Sequence, residues 1–157
     1  MKVRLDETDW KILYELQQDG RMTNVELARR VGISAPPCLR RVRALEEGGI
    51  IRGYRALLDE KQTNYPIMAF AMVGLTSQAE QDLAAFEDKI RNWPLVRECY
   101  MLSGEVDFLL KCVAPDLDMF QNFIIKELTA ADNVDSVRTS LTLRAIKDEP
   151  TVPLDET

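Results

Sequence analysis

The chain has 157 residues, 46% of them hydrophobic and 29% charged, a composition typical of a globular protein with one medium-sized domain or two small ones. It contains no histidine, which excludes a Ser-His-Asp triad, a Cys-His dyad and any histidine-ligated zinc site. The net charge is −6, but residues 1–58 hold eleven basic and eight acidic residues (+3), whereas residues 59–157 hold nine and eighteen (−9). This asymmetry indicates a nucleic-acid surface in the N-terminal part of the chain.

The apolar runs and the cysteines point away from a membrane protein and from a disulfide scaffold. The longest strongly apolar run, Ile67–Leu75, is too short to span a bilayer, which needs about 20 residues. No signal peptide is visible, so we expect a cytoplasmic protein without a membrane partner. Cys38, Cys99 and Cys112 form no C-x-x-C pair and are expected to be reduced thiols. Neither a metal site nor a cofactor is expected.

The first 58 residues carry start and stop signals for helices. Asp6 is a good N-cap followed by further acidic residues, and Asp19-Gly20 ends the first predicted helix. Thr23 and Glu26 have the spacing of a capping box, and Gly32 is a natural end for a short second helix. This second helix has too little apolar area to be stable alone.

A third helix is predicted between Ser34, its N-cap, and Gly48-Gly49. Pro36 and Pro37 lie in its first turn, where the missing N–H groups cost little. The side expected to face the core consists of Leu39, Val42 and Leu45. After it, Ile50–Arg52 and Tyr54–Leu58 are rich in β-formers and indicate a hairpin-like wing or a strand leading out.

A polar segment ending in proline, residues 59–66, is the best candidate for a linker. Beyond it, the pattern predicts the order β-α-β-β-α-β, the split βαβ or ferredoxin-like sandwich. The predicted elements are Ile67–Leu75, Ala79–Trp93, Val96–Leu102, Val106–Val113, Pro115–Ala131 and Val134–Ile146. The predicted domains are therefore residues 1–58, the linker 59–66, residues 67–147 and an acidic tail, 148–157, which we expect to be mobile.

Both predicted helices of the second domain should cover the same face of its sheet. The other face then needs a partner, because the side chains expected there are too apolar to remain in water. These side chains are Val73, Val96, Tyr100 and Leu110. Assembly of several copies through this face is the expectation.

The second helix, the turn at Gly32-Ile33-Ser34 and the third helix together predict a helix-turn-helix. In this motif the second of the two helices enters the major groove of DNA. The predicted DNA-binding residues are Ser34, Ala35, Pro36, Pro37, Cys38, Arg40, Arg41 and Arg43. The arginines could reach phosphates or guanine O6/N7, or they could form a solvated face. For Cys38, packing as a small buried residue at the DNA-facing edge is favoured over a redox role. Arg29 and Arg30 could either cap the second helix or touch DNA.

The segment Ser103–Asp107 joins two apolar strands and carries two carboxylates. It could hold an amino-acid zwitterion, with backbone N–H groups on the carboxylate and Asp107 on the ammonium group. On the residues alone a plain hairpin turn is favoured, because acidic turns with glycine are common. Nothing nearby supplies a nucleophile, so catalysis is not expected and the protein is predicted not to be an enzyme.

The chain resembles the Lrp/AsnC family of feast/famine transcription regulators from Leu5 to about Ile146. The resemblance is carried by the segments LDETDWKILYELQQDGR, TNVELARRVGIS, PPCLRRVRALEEGGIIRGYRALL, ECYMLSGEVDFLLK and NVDSVRT, in this order and spacing. It implies an α+β fold: an N-terminal winged-type helix-turn-helix followed by a βαββαβ ferredoxin-like (RAM-type) effector and oligomerisation domain. It also implies dimers that form through the sheets and assemble further into tetramers or octamers.

The same resemblance implies a small effector, usually an amino acid, bound at contacts between dimers. The positions that match the family's effector-binding and response positions, together with the rest of their loop, are Met101, Ser103, Gly104, Glu105, Val106, Asp107, Leu117, Ser140, Leu141 and Thr142. The sequence therefore predicts a homo-oligomeric regulator that binds double-stranded DNA and responds to a small effector. Two alternatives are a metabolite-binding or enzymatic module on a ferredoxin-like fold, and a DNA-organising protein with little sequence preference.

Overall fold

The structure, a computed structural model, describes residues 4–154 and divides into two compact units. The first, the helical unit, comprises the residues up to Leu57 together with those from Asp148 onward, and the second, the sheet unit, comprises Leu58–Lys147. Among the described residues no helix is both long and apolar enough to cross a bilayer.

The helical unit contains α1 (Glu7–Gln18), α2 (Asn24–Val31) and α3 (Ala35–Glu47). The predicted N-cap of α1 forms a full capping box, because Asp6 and Asp9 each accept the other's backbone N–H through a carboxylate oxygen. Thr23 caps α2 through its hydroxyl, whereas the side chain of Glu26 turns to arginines of the same helix instead of closing the predicted box.

Six buried side chains from all three helices form the core of the helical unit: Ile12, Leu13, Leu27, Ala28, Cys38 and Leu45. The predicted phase of α3 is wrong at one position. Leu39 is 39% exposed and lies on the outer side of the helix, whereas Cys38 takes the fully buried place beside it. Gly32 ends α2 with a left-handed backbone (φ 76°), as predicted, and so allows the tight turn into α3.

The segment after α3 is irregular, and the strands predicted between Ile50 and Leu58 are absent. The N–H groups of Ile50 and Ile51 both donate to the carbonyl of Leu45, at 2.9 and 3.1 Å. These bonds satisfy a carbonyl group in the last turn of α3 and hold Ile50 and Ile51 in a turn. The predicted linker is also ordered, because Asp59 accepts the N–H of Gln62 (2.9 Å) and begins a compact hydrogen-bonded turn.

The sheet unit has the predicted βαββαβ order. Its elements are β1 (Ile67–Leu75), α4 (Glu80–Arg91), β2 (Val96–Met101), β3 (Phe108–Ala114), α5 (Leu117–Phe123), a wider helical turn (Ile124–Leu128) and β4 (Val134–Leu141). The strands pair antiparallel in the order β2-β3-β1-β4. The last strand ends at Leu141, five residues before the predicted end.

One face of the sheet packs on α4 and α5, and strict alternation along β1 and β3 fixes which residues face it. Val73 and Leu110 are fully buried there and Val96 packs against the same core, so the prediction that these three lie on the uncovered face is wrong. Of the four predicted residues, Tyr100 lies on that face. The opposite, uncovered face carries a different set of partly exposed side chains. These are Met68, Phe70, Met72, Tyr100, Leu109 and Val113.

Candidate functional site

The outer side of α3 is the candidate DNA-contacting surface, and two arginines dominate it. Pro36, Arg40, Arg43 and Glu47 recur at helical spacing and line a shallow groove with Leu39 and Ala44. Arg40 and Arg43 make no ion pair with any described residue. Both guanidinium groups are therefore available to phosphates or to guanine edges.

Arg41, the third arginine predicted to face DNA, is held inside the helical unit. Its Nη1 donates to both carboxylate oxygens of Asp6 (3.0 and 2.8 Å) and to Oδ1 of Asp9 (2.8 Å). The backbone N–H of Asp9, and next the Arg41 guanidinium, hold the pKa of Asp6 below its ordinary value. Arg41 thus joins α3 to the capping box of α1 and fixes the angle between the two helices.

The start of α3 is positioned by backbone contacts, and its cysteine is not available to a ligand. Asn24 Nδ2 donates to the carbonyl of Ala35 (2.8 Å), which ties the first residue of α2 to the first residue of α3. The side chain of Ser34 makes no capping bond, so its hydroxyl stays open beside the exposed first turn. Cys38 is 0% exposed, and burial raises the pKa of its thiol. Its side chain therefore packs in the core, the role favoured from the sequence, and the prediction that it contacts DNA is wrong.

Arg29 and Arg30 are occupied as well. Arg29 donates two hydrogen bonds to Glu26 (2.9 and 2.7 Å), and Arg30 bridges Glu26 to Glu15 of α1 (2.9 and 3.0 Å). These bonds, from Arg29 first and then from Arg30, lower the pKa of Glu26 to about 2. Arg29 thus stabilises α2 itself, whereas Arg30 joins α2 to α1.

The segment after α3 is fixed in place by a contact that no local pattern in the sequence indicates. The hydroxyl of Tyr54 donates to Glu46 Oε1 (3.0 Å), and its ring lies only 3.2 Å from where a side chain on Gly20 would begin. Burial, and next the bond to Glu46, raise the pKa of Tyr54 to about 12. The exposed Arg52 and Arg55 flank this anchored tyrosine.

In the sheet unit, the candidate effector loop Ser103–Asp107 lies where β1 ends and β3 begins. The Asp107 carboxylate accepts the backbone N–H of Leu75 (2.6 Å) through Oδ2 and the amide of Gln78 (2.7 Å) through Oδ1. Its backbone N–H donates to the carbonyl of Val73, and its carbonyl accepts the N–H of Leu102. Asp107 therefore closes this end of the sheet, and its lone pairs not used by these two donors remain for a ligand.

The loop beside Asp107 combines a backbone conformation that favours glycine with open space. Gly104 has φ 153°, and no atom lies within 4 Å of the position that a Cβ would take there. Ser103, Gly104 and Glu105 are all exposed, and Val106 is half-buried. This arrangement leaves room for a small polar ligand against the loop.

The other candidate effector residues lie elsewhere in the unit. Ser140 and Leu141 pair with Phe70 and Ala69 near the start of β1, whereas the loop Ser103–Asp107 lies at the end of β1. Met101 belongs to β2, and β2 and β4 are the two outer strands of the sheet. Within one copy the predicted effector residues therefore form two separate groups. The hydroxyl of Thr142 is buried and has no hydrogen-bond partner among the described residues.

Leu117 belongs to the second group, because α5 begins after the end of β3 that pairs with the start of β1. Its side chain is 42% exposed. The side chain is therefore free to contact a ligand or a second copy.

The cysteines and carboxylates of the described residues form no reactive-thiol site and no metal site. Burial raises the pKa of Cys99 to about 11 and that of Cys112 to about 12, so both remain unreactive thiols near neutral pH. Across residues 4–154 no cluster of three or more cysteine, aspartate or glutamate side chains is placed to hold a metal ion.

Comparison with known proteins covers both units. Residues 5–52 match the model of winged helix-turn-helix DNA-binding domains, and residues 68–152 match that of the Lrp/AsnC ligand-binding domain. The leucine-responsive regulatory protein of Rhizobium meliloti is 63% identical over 148 residues, which cover 94% of this chain and 95% of the relative. The transcriptional regulator AzlB of Bacillus subtilis is 36% identical, with 99% of each chain covered.

Solved structures agree with both units of the fold. The crystal structure of a transcriptional regulator from Neisseria meningitidis in complex with L-Met superposes with a TM-score of 0.91 at 40% identity, covering 97% of this chain and 98% of the other. An AsnC family regulator from Agrobacterium tumefaciens gives 0.89 at 35% identity, with 96% and 97% covered.

Proposed function

The chain belongs to the Lrp/AsnC family of transcriptional regulators, in which a DNA-binding helix-turn-helix is joined to a ligand-binding domain, and we propose that it reads a specific DNA site through the outer side of α3. It is a regulator and not an enzyme. The observation that carries the proposal is the contrast within α3: Arg41 is consumed by Asp6 and Asp9, whereas Arg40 and Arg43 face outward without ion pairs among the described residues.

DNA recognition then divides between two kinds of contact. Arg40 lies closer to the N-terminal part of α3, which is the part that meets base edges in this motif, so we assign it to a base. Arg43 lies one turn further along and is assigned to a phosphate. Ser34, Ala35, Pro36 and Pro37 allow close approach of the backbone, because their side chains are small or compact. We propose cytoplasmic double-stranded DNA as the partner.

We propose that the effector is an amino acid and that its site combines residues of two copies of the chain. The loop Ser103–Asp107 of one copy supplies N–H donors and the Asp107 carboxylate, a pair that suits a zwitterion. The separate group around Leu117 and Ser140–Thr142 comes from another copy, because one copy does not bring the two groups together. The L-Met complex of the similar Neisseria protein supports this effector class.

The uncovered sheet face supports assembly into a dimer, which would associate further into a tetramer or octamer. Met72 of β1 pairs with Leu109 of β3 and forms its apolar centre, while Phe70 pairs with Lys111, which binds Glu98 at 3.0 Å on the same face. A patch of this kind is costly to expose and suits a second copy, since oligomers of one chain are mostly two-fold symmetric. The dimer would present two α3 helices to half-sites about one helical turn apart.

The test is recovery of genomic DNA fragments by the purified full chain, with and without Leu, Met or a pool of the twenty amino acids. Discrete fragments that share a pseudo-palindrome, with occupancy changed by one amino acid, are expected. Discrete fragments with no response to any amino acid would remove the amino-acid effector and keep the DNA-binding function. Binding without sequence preference would favour a DNA-organising protein, and no binding would overturn the proposal.

A further inference from the structure

Residues 148–154, which we call the strap, pack on the helical unit although the whole sheet unit separates them from it in the sequence. The backbone N–H of Val152 donates to Gln17 Oε1 (2.8 Å), and Gln17 Nε2 donates to the carbonyl of Val152 (2.9 Å). Leu154 packs against the core formed by the three helices. A side chain of α1 thus binds both polar backbone groups of one strap residue.

The strap is suited by its sequence to this contact. Pro150 and Pro153 have fixed φ angles, and Val152 is restricted to extended conformations because a proline follows it. An extended segment that is already stiff loses little conformational entropy when it binds. The side of α1 that carries Gln17 is therefore a docking site for an extended segment that ends in an apolar side chain.

The strap also changes the charge of the unit on which it lies. Residues 4–57 carry ten basic and eight acidic side chains, a net charge of +2. The strap adds Asp148 and Glu149 and no base, a net charge of −2. The two parts together carry no net charge, so the docked strap cancels the positive charge that would attract DNA phosphates.

We propose that the docked strap is an electrostatic brake on DNA binding, and that its release from α1 raises the affinity of the helical unit for DNA. This inference rests on the proposed DNA-binding function and adds a regulatory surface to it. The occupant of the α1 surface is this chain's own acidic strap, which competes with DNA through charge and not through the recognition surface of α3.

Docking is tested on the full chain by hydrogen exchange at the Val152 amide. Gln17→Ala removes both hydrogen bonds, and we expect exchange at Val152 to become at least tenfold faster, as for a lost hydrogen bond. Gln18→Ala is the matched control, because Gln18 is the exposed neighbour on α1 and makes no bond to the strap. Equal exchange rates in the two variants would overturn the docking.

The brake is tested by neutralising the acids while the dock stays intact. D148N/E149Q leaves Gln17, Val152 and Leu154 unchanged, and hydrogen exchange at Val152 checks that the strap stays docked. This variant is expected to tighten DNA binding by roughly threefold or more at low salt, with a smaller effect at high salt. The matched control, E80Q/D118N, removes two carboxylates of the sheet unit that make no ion pair within residues 4–154. Gln17→Ala should also tighten binding.

The results separate the two proposals. If the wild-type chain and the control bind DNA and the neutralised strap does not bind it more tightly, the brake is overturned and the DNA-binding function stands. If the control tightens binding as much as the neutralised strap, overall charge explains the effect and the brake is again overturned. If no variant binds DNA at any salt concentration, both proposals fail.

Discussion

The arginines of the helical unit differ in whether they form ion pairs within the unit. Those that do stabilise the fold, and those that do not are available to bind DNA. Arg29, Arg30 and Arg41 each contact carboxylates of their own unit at 3.0 Å or less. Arg40 and Arg43 have no such partner among the described residues. Neighbours in sequence can therefore have different tasks, because successive residues of a helix point about 100° apart.

Substitution of Arg40 and of Arg41 should separate these tasks. Arg40→Ala is expected to cost about 1–3 kcal/mol of specific binding and to relax preference at one base pair. Arg41→Ala removes the link between α3 and α1, so it should lower the unfolding temperature and change affinity mainly through the folded fraction. Fluorescence anisotropy with specific and random DNA, together with thermal melts, checks both. The assignment fails if fully folded Arg41→Ala loses as much sequence preference as Arg40→Ala.

Gly20 is required by the tyrosine that lies over it. Its backbone φ is not in the left-handed region, so alanine would otherwise be tolerated. An added Cβ would meet the ring of Tyr54 at 3.2 Å, and the ring, which is held by its bond to Glu46, would have to move by a few tenths of an ångström. Gly20→Ala should therefore destabilise the chain by about 1 kcal/mol or more, the lower range for overpacking.

A double-mutant cycle tests this clash. In a Tyr54→Leu background, which removes most of the ring, Gly20→Ala should cost clearly less, as measured by chemical unfolding of the four proteins. Equal costs in both backgrounds would show that the ring of Tyr54 does not constrain Gly20.

At the level of elements, the helix starts were predictable because capping is local. Asp6, Thr23 and Gly32 act through backbone groups three or four residues away, so their roles are readable from sequence. The βαββαβ order was predictable for a similar reason, since each element carries its own periodicity.

The orientation of some elements was not predictable. Leu39 turns outward because the small Cys38 beside it takes the core side. Arg41 turns toward α1 because its carboxylate partners, Asp6 and Asp9, lie there, distant in sequence. In β1, Val73 lies in a strand that is apolar at every position, whereas in β3 the charged Lys111 beside Leu110 marks the uncovered face and was not used in the prediction. Period-two alternation alone cannot decide which set faces the helices in strands that are apolar on both sides. The role of Asp107 at the end of β1 was also not predictable, because its hydrogen-bond partner Leu75 belongs to a strand that is distant in sequence.

The ion pairs of α2 predict a pH dependence. The pKa of Glu26 is about 2 in the folded chain against an ordinary value of 4.5, so the stabilising contribution is complete above about pH 4.5 and is lost as the pH falls toward about 2. Glu26→Gln carries no such titration. The difference in unfolding free energy between the wild type and this variant should therefore shrink across that window in urea melts, and it should be smaller in high salt because the pair is exposed. A difference that stays constant down to pH 2 would contradict this origin.

At the scale of the whole molecule, the uncovered face of the sheet is the main apolar surface to be accounted for. Leu109 lies at its centre between Met72 of β1 and Tyr100 of β2. Leu109→Glu should leave each copy folded, because the side chain is not part of the buried core, but should place a charge in the proposed dimer contact. Light scattering should then report a smaller assembly with unchanged circular dichroism. An assembly of unchanged mass would move the dimer contact to another surface.

A site shared between copies has a consequence that no single variant can show. Asp107→Asn keeps an acceptor for the N–H of Leu75 but loses the charge for an ammonium group, and Thr142→Val replaces the unpartnered hydroxyl with a group of similar shape. Each variant alone should lose the response to the amino acid while still binding DNA. In mixed assemblies, some sites combine an intact loop from the Thr142→Val copy with an intact β4 end from the Asp107→Asn copy. Random mixing in equal amounts should restore about a quarter of the sites.

The measurement is amino-acid binding by calorimetry after unfolding and refolding the two variants together. Adding Leu109→Glu to both chains is the control, because chains that cannot assemble should recover nothing. If the mixture binds no amino acid although each variant assembles, the two groups of residues do not form one site.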